Sequence, residues 1–276
     1  MNTSFNQTIR RDWKNLAQKR ELDRRNSPAA PSIEEVEVFR KFLHEVDKNI
    51  SVKPKKVLVL GITPEMREIA WGNGYEVVSV DIDKNMIKSM KDFVKIKGRE
   101  TIINDNWLNL EKYYSYCTFD LILADASLNN LSFKDYQKIL KIMNELLKDD
   151  GYFIVRHFII AEKDDLKPID YFCKKKVFWK EKSLGMLLGV EQIKIWLNDK
   201  KHYLELGKYY PWLLSQLDIG CLSKDMETVR DFTSTRNLSV LLENDFFKIV
   251  QGYFKLINKG NNYNFGLTPI FVFKKK

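Results

Sequence analysis

The sequence lacks the features that mark several classes of protein. Only three of its 276 residues are cysteines, Cys117, Cys173 and Cys221, and their spacing fits neither a zinc site nor a disulfide framework. Charged residues interrupt every apolar run before 18 residues, so no membrane span is expected. The opening segment, MNTSFNQTIRRDW, has no apolar core like that of a secretory signal. We therefore expect reduced thiols, no bound metal and a cytoplasmic location.

The charge distribution does not by itself identify a partner. The net charge is +9, and most of the excess lies in residues 161–276, where 20 Lys and Arg face 14 Asp and Glu. A basic region can bind nucleic acid or acidic substrates. These lysines are scattered rather than gathered into a stripe, which favours an ordinary solvated surface. A nucleic-acid partner stays open but is not favoured.

Residues 57–86 predict a strand, turn, helix and second strand. Two β-branched runs, 57–60 and 77–80, flank a segment with helical periodicity. Gly61 ends the first strand, where a Cβ would obstruct a closely approaching ligand. Asp81 ends the second strand 20 residues later, near the spacing at which an acid reaches a ribose hydroxyl. The unit therefore predicts a nucleoside site.

The turn after the first strand argues against a dinucleotide. The second and third glycines of a G-x-G-x-x-G pattern are replaced by Thr63 and Met66. Without these glycines the backbone cannot approach a pyrophosphate closely enough to bind it. Thr63 and Pro64 instead predict an N-cap and a first helical residue, which suit a single carboxylate. S-adenosylmethionine carries a carboxylate and a ribose but no phosphate.

The rest of the chain predicts an α/β core with appendages. Strands are expected at 101–103, 119–124 and 152–160, helices at 84–96 and 132–147, and a closing hairpin at 246–257 and 263–273. This alternation predicts a doubly wound, mainly parallel sheet. The expected organisation is an N-terminal helical cap at 1–50, the nucleoside-binding core at 51–160, a helical insertion at 161–245 and the hairpin at 246–276.

The two appendages supply candidate acceptor contacts. In the cap, Trp13 is either a lid over a bound cofactor or an anchor for a helix at 9–24, and Ser32 with Glu35 forms a capping-box pattern before a second helix. In the insertion, Tyr210 belongs to a Y-Y-P-W cluster at 209–212 that could build an aromatic pocket.

Five segments together carry a family resemblance. They are VLVLGITPE at 57–65, VVSVDID at 77–83, NDNW at 104–107, FDLILADASLNN at 119–130 and LLKDDGYFIVRHF at 146–158. In this order the chain resembles the class I S-adenosylmethionine-dependent methyltransferases over residues 55–160. The resemblance implies a seven-stranded, Rossmann-like sheet with an antiparallel last strand. The sequence departs from the family's usual G-x-G-x-G pattern, because residues 61–65 read G-I-T-P-E.

The resemblance also implies a set of cofactor contacts. Residues at the first turn would line the amino-acid end, Asp81 would bind the ribose hydroxyls, Asp105 would accept the adenine amino group, and Asp125 would border the methionine. The implied cofactor-binding residues are Gly61, Ile62, Thr63, Asp81, Ile82, Asp105, Trp107, Asp125 and Ala126. Each acid could instead cap a helix, and Trp107 could be core.

Methyl transfer needs alignment more than covalent chemistry, and a base only if the acceptor arrives protonated. His157 at the end of the fifth strand is the candidate base, although a histidine on a strand is more often structural. Arg156 and Asn129 are candidate substrate contacts, and the segment around Asn129 could equally cap the next helix.

We therefore expect an S-adenosylmethionine-dependent methyltransferase acting on an O or N atom of a small molecule. If the protein is an enzyme, the alternative is an RNA or protein methyltransferase. If it is not an enzyme, the alternative is a nucleoside-binding module without turnover. The sequence leaves the oligomeric state open.

Overall fold

The computed structural model describes residues 30–51, 53–160, 203–205, 237–260 and 268–276. The helices are α1 (Ile33–Asp47), α2 (Pro64–Gly72), α3 (Lys84–Met90), α4 (Tyr136–Leu146) and α5 (Glu243–Val250). The strands are β1 (Lys55–Leu60), β2 (Tyr75–Val80), β3 (Glu100–Ile103), β4 (Phe119–Asp125), β5 (Leu147–Arg156), β6 (Ile159–Ile160), β7 (Tyr203–Glu205), β8 (Asn237–Ser239), β9 (Leu241–Leu242), β10 (Phe254–Lys259) and β11 (Ile270–Lys275).

A seven-stranded sheet forms the centre, in the order β10-β11-β5-β4-β1-β2-β3. The pairs from β5 through β3 are parallel, whereas β11 is antiparallel to both β5 and β10. Strand order reverses between β1 and β4, the topological switch point at which such sheets bind ligands. The predicted doubly wound, seven-stranded sheet is confirmed.

Apolar layers cover both faces of the sheet. One layer packs α4, α5 and the aromatic residues of β11 against the sheet, and the other packs α1 and α2 against it. The central strands are buried almost throughout, as expected for parallel strands covered on both sides. Because both faces are filled, a ligand of the sheet has to lie at the strand ends.

Local sequence explains where the two helices beside the site begin. At α1, the Ser32 side chain accepts a hydrogen bond from the Glu35 N–H while the Glu35 carboxylate accepts one from the Ser32 N–H, which is the predicted capping box. At α2, Pro64 occupies the first helical position and Thr63 the N-cap position, but the Thr63 side chain makes no capping hydrogen bond.

Three boundary predictions need correction. The predicted fifth strand divides, since β5 ends at Arg156 and residues 159–160 pair separately with β9. The predicted first arm of the hairpin begins too early, because Phe246 lies in α5 and only β10 from Phe254 pairs with β11. The described parts of the predicted helical insertion include strands β7 to β9. The predicted helix at 9–24 lies outside the described residues.

Candidate functional site

The carboxyl ends of the parallel strands lie level with one another. The register pairs Leu60 of β1 with Val80 of β2 and with Ala124 of β4, and pairs Val80 with Ile103 of β3. The residues that follow these positions therefore stand side by side along one edge. Neighbouring strands are about 4.8 Å apart, so the ends of β4 and β2, with β1 between them, are about 10 Å apart. Most of the predicted cofactor-binding residues follow directly from these ends.

Gly61 and Asp81 face each other where β1 and β2 end. The Gly61 N–H donates to the Val80 carbonyl at 2.8 Å, and its φ of 108° is a left-handed conformation that favours glycine. A Cβ at position 61 would lie 3.9 Å from Asp81 Oδ2. The Asp81 carboxylate thus lies next to the space that Gly61 leaves open, as expected for a site that binds a ribose. The Asp81 Oδ1 accepts from the Asp83 N–H at 2.8 Å, which also orders the turn into α3.

Asp105 is held as a carboxylate beyond the end of β3. It accepts hydrogen bonds from the Tyr113 hydroxyl at 2.7 Å, the Asn109 amide at 2.7 Å and the Asn106 N–H at 2.6 Å. These bonds, that from Tyr113 foremost, lower the pKa of Asp105 to about 2. Asp105 therefore remains an acceptor at neutral pH, the state that would receive an amino group.

Ile82 and Trp107, both predicted from the sequence to lie near the adenine, have different surroundings in the structure. Ile82 is 54% exposed directly after Asp81, an apolar surface that could contact a base. Trp107 is half-buried against the core, and its indole N–H donates to the Val80 carbonyl at 2.6 Å. Trp107 therefore stabilises the end of β2 through this hydrogen bond, whether or not it also contacts a ligand. Ile62 is buried with Met90 below this edge.

A buried ionic cluster lies at the end of β4 and β5. Arg156 Nε donates to Asp125 Oδ1 at 2.5 Å, and Arg156 Nη1 lies 3.2 Å from Glu35 Oε2 on α1. The Thr268 hydroxyl donates to Glu35 Oε1 at 2.7 Å. Burial opposes the charge of Arg156, but the charges and hydrogen bonds of Asp125 and Glu35 prevail and raise its pKa. One guanidinium with two carboxylates leaves a net charge of −1.

The next residue, Ala126, holds an unusual backbone conformation. Its φ is 52°, in the left-handed region that non-glycine residues rarely adopt. The Ala126 N–H donates to the Arg156 carbonyl at 2.9 Å, and the Asn130 side chain donates to the Ala126 carbonyl at 3.1 Å. Strain of this kind clusters at ligand sites. The sequence resemblance placed Ala126 here, but nothing in the residue type signals the strain.

The prediction of His157 as a general base is wrong for this structure. Its ring has 0% exposure and lies 4.4 Å from the Phe246 ring, centroid to centroid. Neither ring nitrogen has a hydrogen-bond partner among the described residues. Burial lowers its pKa to about 3, which makes it a poor base, and the enclosed position keeps it from an acceptor.

Two candidate substrate contacts also have structural partners. Asn129 is buried, donates to the Phe158 and Ser239 carbonyls at 2.9 and 2.7 Å, and accepts from the Phe158 N–H at 3.0 Å. Its side chain joins three segments of the fold, so it does not face an acceptor. Arg156 is buried in the ionic cluster rather than directed at open space. Trp13 and Tyr210 lie outside the described residues.

The sequence did not identify Glu35, Thr268 or Tyr113 as members of the site. Glu35 was noticed only as the second residue of a capping box, a local role that it does fill. Its contact with Arg156 spans 121 positions in the chain, for which a single sequence contains no signal. Tyr113 follows Asp105 by eight positions and caps the end of a 3₁₀ helix, Trp107–Lys112.

The residues along this edge fit a nucleoside that carries an amino-acid group. Gly61 leaves space in front of Asp81, Ile82 offers an exposed apolar face, and Asp105 is an ionised acceptor. At the other end, no described residue donates to Asp125 Oδ2, which leaves that oxygen for a cationic group. No group of three or more metal-binding side chains occurs in the described ranges. No described helix is long and apolar enough to cross a membrane.

Comparisons with known proteins indicate the family of the chain. A family model described as a methyltransferase domain matches residues 62–211, more than half of the chain. A search of curated proteins finds no significant match. A protein of Pyrococcus horikoshii OT3 is similar in structure, with 15% identity, 94% of this chain and 99% of that chain covered, and a TM-score of 0.50.

Two further solved structures are similar to the chain. A Rhodobacter sphaeroides protein named as a zinc-dependent alcohol dehydrogenase has 17% identity, coverage of 97% and 100%, and a TM-score of 0.54. The N-methyltransferase NodS of Bradyrhizobium japonicum WM9, in complex with S-adenosylhomocysteine, has 11% identity, coverage of 95% and 98%, and a TM-score of 0.47. The two neighbours with TM-scores of 0.50 and 0.54 show a shared fold, and at these identities neither protein's activity transfers to this chain.

The family match, together with the sheet order and the five sequence segments, identifies the chain. It belongs to the methyltransferase domain family, as a class I methyltransferase whose cofactor is S-adenosylmethionine.

Proposed function

We propose that the protein transfers a methyl group from S-adenosylmethionine to an O or N atom of a small molecule. The observation that supports this most is the row of carboxylates, Asp125, Asp81 and Asp105, on neighbouring strand ends beside Gly61. A cationic donor with a ribose and a base matches this row of acceptors in both charge and length. A polyphosphate would be repelled by it.

Each residue of the row has a binding role in the proposal. When bound, S-adenosylmethionine supplies a methyl group on a positively charged sulfur. Asp81 accepts the ribose hydroxyls in the space that Gly61 leaves open, and Asp105 accepts the adenine amino group beside Ile82. Asp125 Oδ2 accepts the ammonium of the amino-acid end. Thr63, Ala126 and the start of α2 lie along the edge between these groups.

Catalysis in this proposal rests on alignment rather than on a base. His157 is enclosed in the core, so the described residues act by binding the donor and fixing its direction. An acceptor that arrives as a neutral amine requires no base in the transfer step. Trp13 and Tyr210 remain proposed acceptor contacts, and the cytoplasmic location remains a prediction from the sequence.

A small acceptor is proposed over RNA because of the charges of the described residues. Many of the described lysines already contact carboxylates, including Lys55, Lys148, Lys259 and Lys274. The row of carboxylates also gives the proposed site a negative edge. A nucleic-acid site needs unpaired basic groups in a stripe that follows the phosphates.

Titration calorimetry with S-adenosylhomocysteine tests the donor site. The Asp81→Ala variant should bind at least tenfold more weakly, because it loses charge-assisted hydrogen bonds to the ribose. Asp92→Ala is the control, since Asp92 is an exposed carboxylate on the surface, where it pairs with Lys97. An unchanged affinity in Asp81→Ala would refute the ribose role.

Acceptor assays separate the proposal from its alternatives. Formation of S-adenosylhomocysteine with a member of a small-amine and small-alcohol panel supports it. Turnover with RNA alone, lost steeply as salt is raised, would replace it with an RNA methyltransferase. Binding of S-adenosylhomocysteine without turnover on any acceptor would favour a nucleoside-binding module.

A further inference from the structure

The buried cluster joins helix α1 to the end of β4 through one guanidinium. Glu35 lies in the first turn of α1, Arg156 ends β5 and Asp125 ends β4. All three side chains are at most 2% exposed. Of the three, Asp125 borders the proposed site for the amino-acid end of the donor, whereas Glu35 approaches from the opposite side of Arg156.

The geometry of the guanidinium is unusual for a buried arginine and carboxylate. Such pairs commonly form two parallel hydrogen bonds, in which both carboxylate oxygens are used. Here Asp125 receives only the Nε bond on Oδ1, Nη1 turns to Glu35, and Nη2 has no partner among the described residues. Oδ2 of Asp125 therefore accepts no hydrogen bond from Arg156.

Glu35 is itself held in place by independent contacts. Its Oε1 accepts from the Thr268 hydroxyl just before β11, and its Oε2 accepts from the Ser32 N–H at the start of α1. The carboxylate thus has a fixed position from which it attracts Nη1. With Nη1 held there, the guanidinium cannot rotate to present both Nε and Nη2 to Asp125.

We propose that Glu35 is a positioning residue, which restrains Arg156 so that Asp125 Oδ2 stays open for the ammonium of the donor. This inference rests on the proposed function, because it assigns Asp125 to the amino-acid end of S-adenosylmethionine. Without the charge of Glu35, Arg156 forms a two-bond pair with Asp125 and occupies the oxygen that the ammonium requires. Helix α1 thereby determines how tightly the donor binds.

Calorimetry with two ligands tests the proposal. S-adenosylhomocysteine carries the amino-acid end, and methylthioadenosine keeps the adenine, ribose and sulfur but lacks it. Glu35→Gln, which keeps the size but removes the charge and replaces one acceptor oxygen by an amide donor, should bind S-adenosylhomocysteine about tenfold more weakly and methylthioadenosine as the natural protein does. Equal weakening for both ligands would mean that Glu35 supports the fold only, and would overturn the proposal.

A double-mutant cycle tests whether Glu35 acts through Asp125. If it does, Asp125→Asn and the double variant Glu35→Gln/Asp125→Asn should have the same affinity for S-adenosylhomocysteine within about twofold. Additive losses would refute the coupling. Glu37→Gln, an exposed change of the same charge on α1, is the matched control and should leave both affinities unaltered.

The failure of the proposed function would look different from the failure of this inference. If the natural protein bound methylthioadenosine but not S-adenosylhomocysteine, Asp125 would not hold an ammonium. That result would refute both the proposed function and the positioning role of Glu35. If it bound both ligands and Glu35→Gln bound them equally well, only the positioning role would fall. Circular dichroism and unfolding of Glu35→Gln establish that the variant is folded before its affinities are compared.

Discussion

Replacing His157 by phenylalanine should make the protein less sensitive to acid. His157 is wholly buried between the rings of Phe246 and Tyr136, with centroid distances of 4.4 and 6.0 Å. Burial lowers its pKa from the ordinary 6.5 to about 3. The unfolded chain therefore binds a proton at His157 below about pH 6.5, whereas the folded chain does so only near pH 3. Between these values the free energy of unfolding falls as the pH falls.

The size of this effect follows from the two pKa values. Between pH 7 and pH 5 the unfolded state gains about 2 kcal/mol from protonation of this one histidine, and the folded state gains almost nothing. The full difference, reached below pH 3, is about 5 kcal/mol at 1.36 kcal/mol per pKa unit. His157→Phe removes this contribution, while its ring keeps the apolar contacts with Phe246.

Urea unfolding at pH 7 and pH 5 measures the difference directly. The loss of stability between the two pH values should be about 2 kcal/mol smaller in His157→Phe than in the natural protein. His44→Gln is the control, because His44 lies on the exposed face of α1 and should leave the pH dependence unaltered. His202 is present in all three proteins and cancels in the comparison. An identical pH dependence in His157→Phe would show that His157 is not buried as a neutral ring.

Two further substitutions test the cofactor edge. Gly61→Ala should lower the free energy of unfolding by about 1–2 kcal/mol, because alanine is strained at a φ of 108°, and should also weaken S-adenosylhomocysteine binding in calorimetry. Gly74→Ala, with a φ of 77° and open space around it, should show the strain alone, and equal affinities in the two variants would contradict the site role of Gly61. Tyr113→Phe removes the foremost hydrogen bond to Asp105, so a carboxyl titration by NMR should find the Asp105 pKa raised above about 2. An unchanged pKa would mean that Tyr113 does not hold this carboxylate.

The parts of the site that local sequence encodes were predictable. Gly61 and Asp81 are joined by one strand–helix–strand unit, so their distance in the chain determines their distance in space. The capping box at Ser32 and Glu35 was likewise visible, because both groups lie within one helical turn.

The errors arose where two patterns were equally compatible with the residues or where distant contacts decided. Phe246 and Val250 are four positions apart and both are buried, as α5 requires, yet the run of apolar residues from 246 also resembled a strand. His157 was the candidate base because it follows the core of the fifth predicted strand and is one of only three histidines. The ring of Phe246 covers His157 because α5 packs over the sheet, a tertiary contact that the local sequence does not encode.

The side chains at the strand ends, rather than the sheet itself, distinguish this site from that of a dinucleotide-binding protein. Both kinds of protein place a glycine after β1 and an acid after β2. Here Pro64 removes one of the N–H groups that a phosphate would use at the start of α2, and Thr63 stands where a second glycine would admit a pyrophosphate. The end of β4 adds the carboxylate of Asp125 within a cluster of net charge −1. Thr63 and Pro64 thus disfavour a pyrophosphate, and Asp125 favours a cationic group. A sulfonium donor with a free ammonium is a nucleoside that meets both conditions.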